Sequence, residues 1–245
     1  MQQPNRIKAA MRASRKAYGY SLSFPSPWVI DILGKLDFDY VFIDGEHGPF
    51  GLDQLEDLCR TAERHDVTPI ARVPDIGSST ILRYLDRGIM GILGPHIATE
   101  ADARQLIRAC YFGPLGERSF GANRGTDYNA GIADKAAYYR EANEQMLVCA
   151  LLEDVAVLDN LDAILSVSGI DLYSIGPKRM AELGLTEYGL ERFALAGNAN
   201  DWIERIGELA ELGASRLRLS TEAGDFDRQI HYMKVFTEQI MPHFH

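Results

Sequence analysis

Residues 40–49 read Tyr-Val-Phe-Ile-Asp-Gly-Glu-His-Gly-Pro. The first four are apolar with no polar residue between them, the pattern of a strand buried on both faces, and an acid–glycine–acid–histidine turn ends the run. A segment of helical period follows over residues 52–65, and a second short apolar run over 69–73. Strand, helix, strand at this spacing is a βαβ unit, which makes the two strands parallel. The same alternation extends outward in both directions. Candidate strands are residues 19–24, 40–44, 69–73, 91–94, 147–153, 172–175, 192–195 and 216–219, and amphipathic helices fill 28–36, 52–65, 80–87, 100–110, 157–167 and 201–212. Eight strands alternating with helices predict an α/β protein of the closed (β/α)₈ kind, the TIM barrel, rather than an open sheet. The 245 residues suit one such barrel, which needs about 250, and no linker or low-complexity stretch divides residues 1–245.

Two places break the rhythm. Residues 111–145 carry Gly113, Pro114, Gly116, Gly121, Gly125 and Gly131 among arginines and tyrosines, which predicts a long loop and an extra helix near 135–144. It falls between the fourth and fifth strands and is expected on the face where barrel loops build active sites, with substrate selectivity residing in residues 112–129. The connection over 178–191 is short, with room for a turn or two of helix.

Composition narrows the function. A net charge of −10 and a pI near 5.1 argue against nucleic acid or an anionic membrane as partner, while leaving a small anionic substrate open. Cys59, Cys110 and Cys149 form no metal or redox spacing, and the patterns around Cys59 and Cys149 predict buried thiols in a reducing compartment. Residues 1–15 are polar and basic, unlike a signal peptide, and no run approaches the ~18 apolar residues of a membrane helix. A cytoplasmic protein is expected.

The candidate chemistry lies at strand ends. Asp44, Glu46 and His47 follow the second strand, where a barrel places catalytic groups; His47 suits a general base tuned by a carboxylate, although a turn whose side chains satisfy backbone groups reads the same way. Arg72 ends the third strand, where its planar fork suits a carboxylate and a rim ion pair is the plain alternative. Glu153 ends the fifth as a metal ligand or acid–base group, with a helix N-cap as its structural alternative, a role open to Asp154 as well. After the sixth come Gly176, Pro177, Lys178 and Arg179: the glycine allows close backbone approach, the following amides suit a carboxylate, and Arg179 adds a second guanidinium. Asp86, at the end of the helix over 80–87, reads on its own as a solvated helix-end residue.

In order and spacing from about Asn5 to Ile175, these blocks resemble the class II pyruvate aldolases that include 4-hydroxy-2-oxoheptanedioate aldolase, with citrate lyase a more distant relative. The blocks are residues 38–47, Pro69-Ile70-Ala71-Arg72, Leu85-Asp86-Arg87-Gly88, residues 111–119 and Ile175-Gly176-Pro177. The resemblance implies that His47, through a water, moves the proton of the acceptor hydroxyl, and that Asp44 and Asp86 orient and polarise it. It implies that Arg72 holds pyruvate and its enolate, that Gly176 and the next amides cradle the substrate carboxylate, and that Glu153 is one of two carboxylate ligands of a divalent cation, magnesium or manganese. No organic cofactor is implied. The family's second metal carboxylate falls at Arg179 here, and a glutamine two residues before the glutamate is replaced by Leu151. A guanidinium can supply fixed positive charge to an enolate, so a lost or weakened metal site is expected.

The activity so implied is carbon–carbon cleavage of a 4-hydroxy-2-oxo acid to pyruvate or a related 2-oxo acid plus an aldehyde. The alternatives are a metal-independent, siderophore-associated condensation of oxaloacetate with acetyl-CoA, and a barrel that binds 2-oxo acids without turnover. Family members usually assemble through C-terminal helices. The apolar residues Ile230, Met233, Val235, Phe236, Ile240 and Met241 predict such a surface and a homo-oligomer, a hexamer among the sizes, unless this helix simply closes the outer ring.

Overall fold

The structure, a computed structural model, describes residues 3–175, 199–211 and 226–244. Six strands, β1 (Gly19–Leu22), β2 (Tyr40–Asp44), β3 (Thr68–Arg72), β4 (Gly91–Gly94), β5 (Leu147–Leu152) and β6 (Leu172–Ile175), form one parallel sheet in sequential order. The strands expected at 192–195 and 216–219 lie outside the described residues. Between the strands run α2 (Pro27–Lys35), α3 (Leu52–Arg64), α4 (Ser78–Leu85), α5 (Glu100–Cys110), α6 (Lys135–Gln145) and α7 (Val157–Leu165). Helices α8 (Ala199–Glu211) and α9 (Phe226–Val235) follow, the latter running on through a π turn to Ile240.

Both faces of the sheet are covered, which is why its strands read as continuous apolar runs. Val41, Ile43, Ala71, Ile92, Val148, Ala150 and Leu152 pack outward with the helices in the larger core. Phe42, Leu93, Leu147, Cys149 and Leu151 gather on the other face with Ile7 and Ala10. Those last two belong to a short helix that the sequence reading passed over, α1 (Arg6–Arg12). Asn5 caps it, accepting from the amides of Ile7 and Lys8, and donates through Nδ2 to the carbonyls of Met90 and Gln145, each at 3.0 Å. These carbonyls lie just before β4 and β5, so α1 closes the foot of the sheet, the amino-terminal end of its strands. Seven residues, fewer than two full turns, carry too little periodicity to show as a helix in sequence.

Two expectations are corrected. The long loop follows α5, and a crossover helix returns the chain to the foot of the next strand. The loop therefore lies at the foot, opposite the strand ends that build active sites. Its contacts agree: the amide of Gly125 donates to the carbonyl of Asp86 at 3.1 Å, Tyr138 and Tyr139 of α6 pack on Phe112, and Arg118 lies over the Phe112 ring. Gly125 has to be glycine, since a Cβ there would run into the Leu85 carbonyl. The C-terminal apolar residues, for their part, do not form an outward surface. Met233, Phe236, Ile240 and Met241 are buried in the chain's own core, where Phe236 meets Tyr18, Phe38 and Trp202. All three cysteines are buried and none is in a disulfide, Cys110 included.

Candidate active site

The parallel register builds the site. Asp44 and Arg72 are Cα partners at the ends of β2 and β3, so their side chains leave neighbouring strands side by side. The guanidinium grips the carboxylate with two bonds, Nε to Oδ1 at 2.9 Å and Nη2 to Oδ2 at 2.5 Å. Asp44 Oδ1 also accepts from the amides of Glu46 and His47 at 3.3 Å each, and the Gly48 amide donates to the Asp44 carbonyl, closing the turn. Gly45 continues the ladder by donating to the Arg72 carbonyl at 2.9 Å; a Cβ on it would press on that carbonyl and on the Tyr84 hydroxyl. The turn is thus both structural and a device for presenting Glu46 and His47.

Glu46 turns back over Arg72, its Oε2 at 2.9 Å from Nη1. His47 lies 3.8 Å from the same oxygen, with its side chain 70% exposed and open to solvent. His96, two residues past β4, completes the group. Its Nε2 is 3.5 Å from Glu46 Oε1, and its Nδ1 is 3.2 Å from Asp154 Oδ2 and 3.4 Å from Glu153 Oε1. The His96 amide donates to Glu153 Oε1 at 3.3 Å. Neither Glu153 nor Asp154 caps α7, whose N-cap is Ala156 with no side-chain bond.

Charge compensation holds the Asp44–Arg72 pair ionised. Burial alone would raise the Asp44 carboxyl, but the bond from Arg72, the two turn amides and the Arg72 charge together keep it below the ordinary carboxylate range. Burial likewise works against the charge on Arg72, and the Asp44 bond with the charges of Asp44, Glu46 and Glu153 more than restores it. Burial pushes the Tyr84 hydroxyl up, helped by Asp44 and Asp75.

Of the residues singled out in the sequence, the structure brings Asp44, His47, Arg72 and Glu153 to one end of the sheet. Asp86 does not join them. It caps α4 at the foot, facing Arg118, Asn123 and Arg87, and burial raises its carboxyl against the pull of those neighbours. A pocket of about 90 Å³ opens beside it, lined by Arg118, Arg124, Gly125, Pro69, Met90 and Gln145 among others; it lies away from the cluster at the carboxyl ends of the strands. Gly176, Pro177, Lys178 and Arg179 lie outside the described residues. His96 was missed by sequence reasoning and Glu46 was given no role. The signal for His96 was its position at the carboxyl end of a strand, the same rule that pointed to Glu153.

Among the described residues no three His, Cys, Asp or Glu side chains converge as metal ligands. The nearest grouping, Glu153 with Asp154 and His96, is already tied up internally: one oxygen of each carboxylate faces the His96 ring. Glu153 keeps its second oxygen clear of that ring, and position 179, where the resemblance puts the second carboxylate, lies outside the described residues; aldolases of this kind generally depend on a divalent cation. No helix of the described residues is long and apolar enough to cross a membrane.

A parallel α/β sheet of six strands carries an arginine, a histidine and several carboxylates at its carboxyl ends, where α/β enzymes place their sites. The chain belongs to the HpcH/HpaI aldolase/citrate lyase family, whose model matches residues 20–192. It is 35% identical over 192 residues to a 4-hydroxy-2-oxovalerate aldolase of Novosphingobium aromaticivorans, covering 76% of this chain and 70% of that protein. It is also 35% identical over 182 residues to a hydroxypyruvate/pyruvate aldolase of Roseobacter denitrificans, covering 74% and 70%. Among solved structures, the HpcH/HpaI aldolase of Desulfitobacterium hafniense superposes with a TM-score of 0.77 at 23% identity, over 95% of this chain and 96% of that one. A citrate synthase, SbnG, superposes with a TM-score of 0.74 at 24% identity, over 97% and 98%, which establishes likeness of fold alone. The protein is accordingly an enzyme, a carbon–carbon lyase of the aldolase kind.

Proposed function

We propose that the protein cleaves a 4-hydroxy-2-oxo acid to pyruvate or a related 2-oxo acid plus an aldehyde, and catalyses the reverse condensation. The observation that carries this reading is Arg72, held on one side by Asp44 and standing beside the exposed His47. In the cleavage direction His47, directly or through a water, takes the proton of the 4-hydroxyl. The C3–C4 bond then breaks, its electron pair moves onto C3 and the 2-oxo oxygen, and the aldehyde leaves. Arg72 stabilises the resulting enolate, the charge that develops in the transition state. A proton returned to C3 completes the 2-oxo acid. Gly176, Pro177 and Lys178 would hold the substrate carboxylate, as the resemblance implies, and Arg179 would add positive charge in place of a second metal-binding carboxylate.

The whole of residues 1–245 is read as one domain, with residues 192–195 and 216–219 as the seventh and eighth strands of a closed (β/α)₈ barrel in a cytoplasmic enzyme. Asp86 can take the role implied for it only in the site of a second copy, because it lies at the foot of its own sheet. That favours a homo-oligomer, which light scattering at micromolar concentration tests: a monomer alone rules it out. Condensation of oxaloacetate with acetyl-CoA draws only on likeness of fold and is not favoured. A coupled assay that follows pyruvate release from a panel of 4-hydroxy-2-oxo acids tests the activity itself. Absence of pyruvate from every member, with release of free CoA from oxaloacetate and acetyl-CoA, would replace the aldolase by the condensing enzyme.

A further inference from the structure

Each of the three nitrogens of Arg72 faces a carboxylate, Nε and Nη2 bound to Asp44 and Nη1 beside Glu46, and Nη1 and Nη2 each carry a second N–H. The two carboxylates differ in how they hold it. Asp44 makes two aligned hydrogen bonds and is fixed in turn by two backbone amides. Glu46 Oε2 is 2.9 Å from Nη1, yet it is buried without a hydrogen bond of acceptable geometry, so this contact is one of charge without alignment. An anionic 2-oxo acid that approaches Nη1 of Arg72 therefore meets Glu46 at the one contact of the three that is not aligned, and a like charge there opposes it.

The other oxygen of Glu46 shows where the side chain can go. Glu46 Oε1 faces His96 Nε2 at 3.5 Å. The imidazole is aimed at it from behind, since Nδ1 and the His96 amide are both held by the carboxylates after β5, at 3.2 Å to Asp154 and 3.3 Å to Glu153. His96 also has a left-handed backbone, φ 54°, a conformation histidine tolerates better than most residues, and it turns the chain directly after β4. His47 cannot take the same part without giving up its own, because it is the exposed base.

We propose that His96 is a positioning residue of this site: it receives Glu46 when the substrate's anionic oxygens take Nη1 of Arg72. Glu46 acts as a guard on Arg72 and His96 as its alternative seat. This rests on the reading of Arg72 as the seat of the 2-oxo acid. The aligned Asp44 pair stays in place throughout, so only one side chain has to move for substrate to enter.

The test is a double-mutant cycle read by pyruvate binding in calorimetry and by KM and kcat for a confirmed 4-hydroxy-2-oxo acid. His96→Ala removes the group facing Glu46 Oε1 and leaves that side chain to Arg72 and, at 3.8 Å, to His47, and should weaken pyruvate binding and raise KM about tenfold with kcat nearly unchanged. In a Glu46→Gln background the guard carries no charge, so His96→Ala should change pyruvate affinity less than about twofold. A packing role gives the same loss in both backgrounds, and that result overturns the proposal, as does a fall in kcat without a change in binding. His96→Gln, which keeps bulk and a donor, should retain most of the affinity, and His96→Leu, which keeps bulk without a donor, serves in place of the alanine if that variant does not fold. If the unsubstituted protein neither binds pyruvate nor turns over any 4-hydroxy-2-oxo acid, the aldolase reading fails and this inference with it; normal turnover with additive effects removes His96 alone.

Discussion

Replacing Arg72 by lysine keeps a positive charge at the end of β3 and removes the fork. In the structure three guanidinium nitrogens face two carboxylates, two of them on Asp44 at 2.9 and 2.5 Å and the third 2.9 Å from Glu46. A lysine ammonium is a compact point charge on a flexible stem, so it can sit on Asp44 or turn to the substrate, but it cannot do both with two aligned bonds. Charge-assisted hydrogen bonds are each worth about 1.5–3 kcal/mol, and loss of one donor to a developing oxyanion costs roughly 3 kcal/mol. At 1.36 kcal/mol per decade, kcat/KM should fall about a hundredfold. The fold should survive, since Asp44 keeps a cationic neighbour and its two turn amides. The measurement is pyruvate release coupled to NADH oxidation, with circular dichroism and a thermal melt on the same preparation. A folded Arg72→Lys enzyme whose kcat/KM stays within about threefold of the parent would refute the role given to the fork.

Three further outcomes are expected. Because the folded Asp44 carboxyl lies below its ordinary value, its pairing contributes fully to stability above the unfolded value of about 3.9 and is lost as pH falls through the lower folded one. Melts between pH 7 and pH 3 should therefore show a flatter acid limb for Asp44→Asn than for the parent; parallel limbs would contradict the assignment. Turnover should persist after exhaustive dialysis against EDTA, since Arg179 stands where the resemblance puts the second metal carboxylate; complete loss restored by magnesium or manganese would return the protein to the metal-dependent class. Gly125→Ala drives a Cβ into the Leu85 carbonyl at the foot. Overpacking of about 1–3 kcal/mol should lower Tm by roughly 3–10 °C, and an unchanged melt would show that the loop yields.

Strands such as β2, β4 and β5 were legible in the sequence because they are largely buried on both faces, so apolar runs such as residues 40–43 and 147–152 show without any knowledge of their neighbours; β1 and β6, half-buried in part and exposed at Tyr173, showed through their place in the βα alternation. Position at a strand's carboxyl end was enough to mark Asp44, His47, Arg72 and Glu153. The side of the sheet on which residues 111–134 lie was also implicit, since they follow a crossover helix rather than a strand, but the richness of the loop in arginine and glycine pointed the other way. The link among Glu46, His96 and Glu153 was not legible. These residues stand 50 and 57 positions apart in the chain and meet only because parallel pairing sets β2, β3, β4 and β5 side by side in register. The same holds for Met233, Phe236 and Ile240: apolar spacing marks a helix face, and only the groups it meets, Tyr18, Phe38 and Trp202 around Phe236, decide whether that face turns inward or to a second chain. Local pattern depends on the burial of each residue by itself, whereas a contact between distant residues depends on the register and packing that place them together.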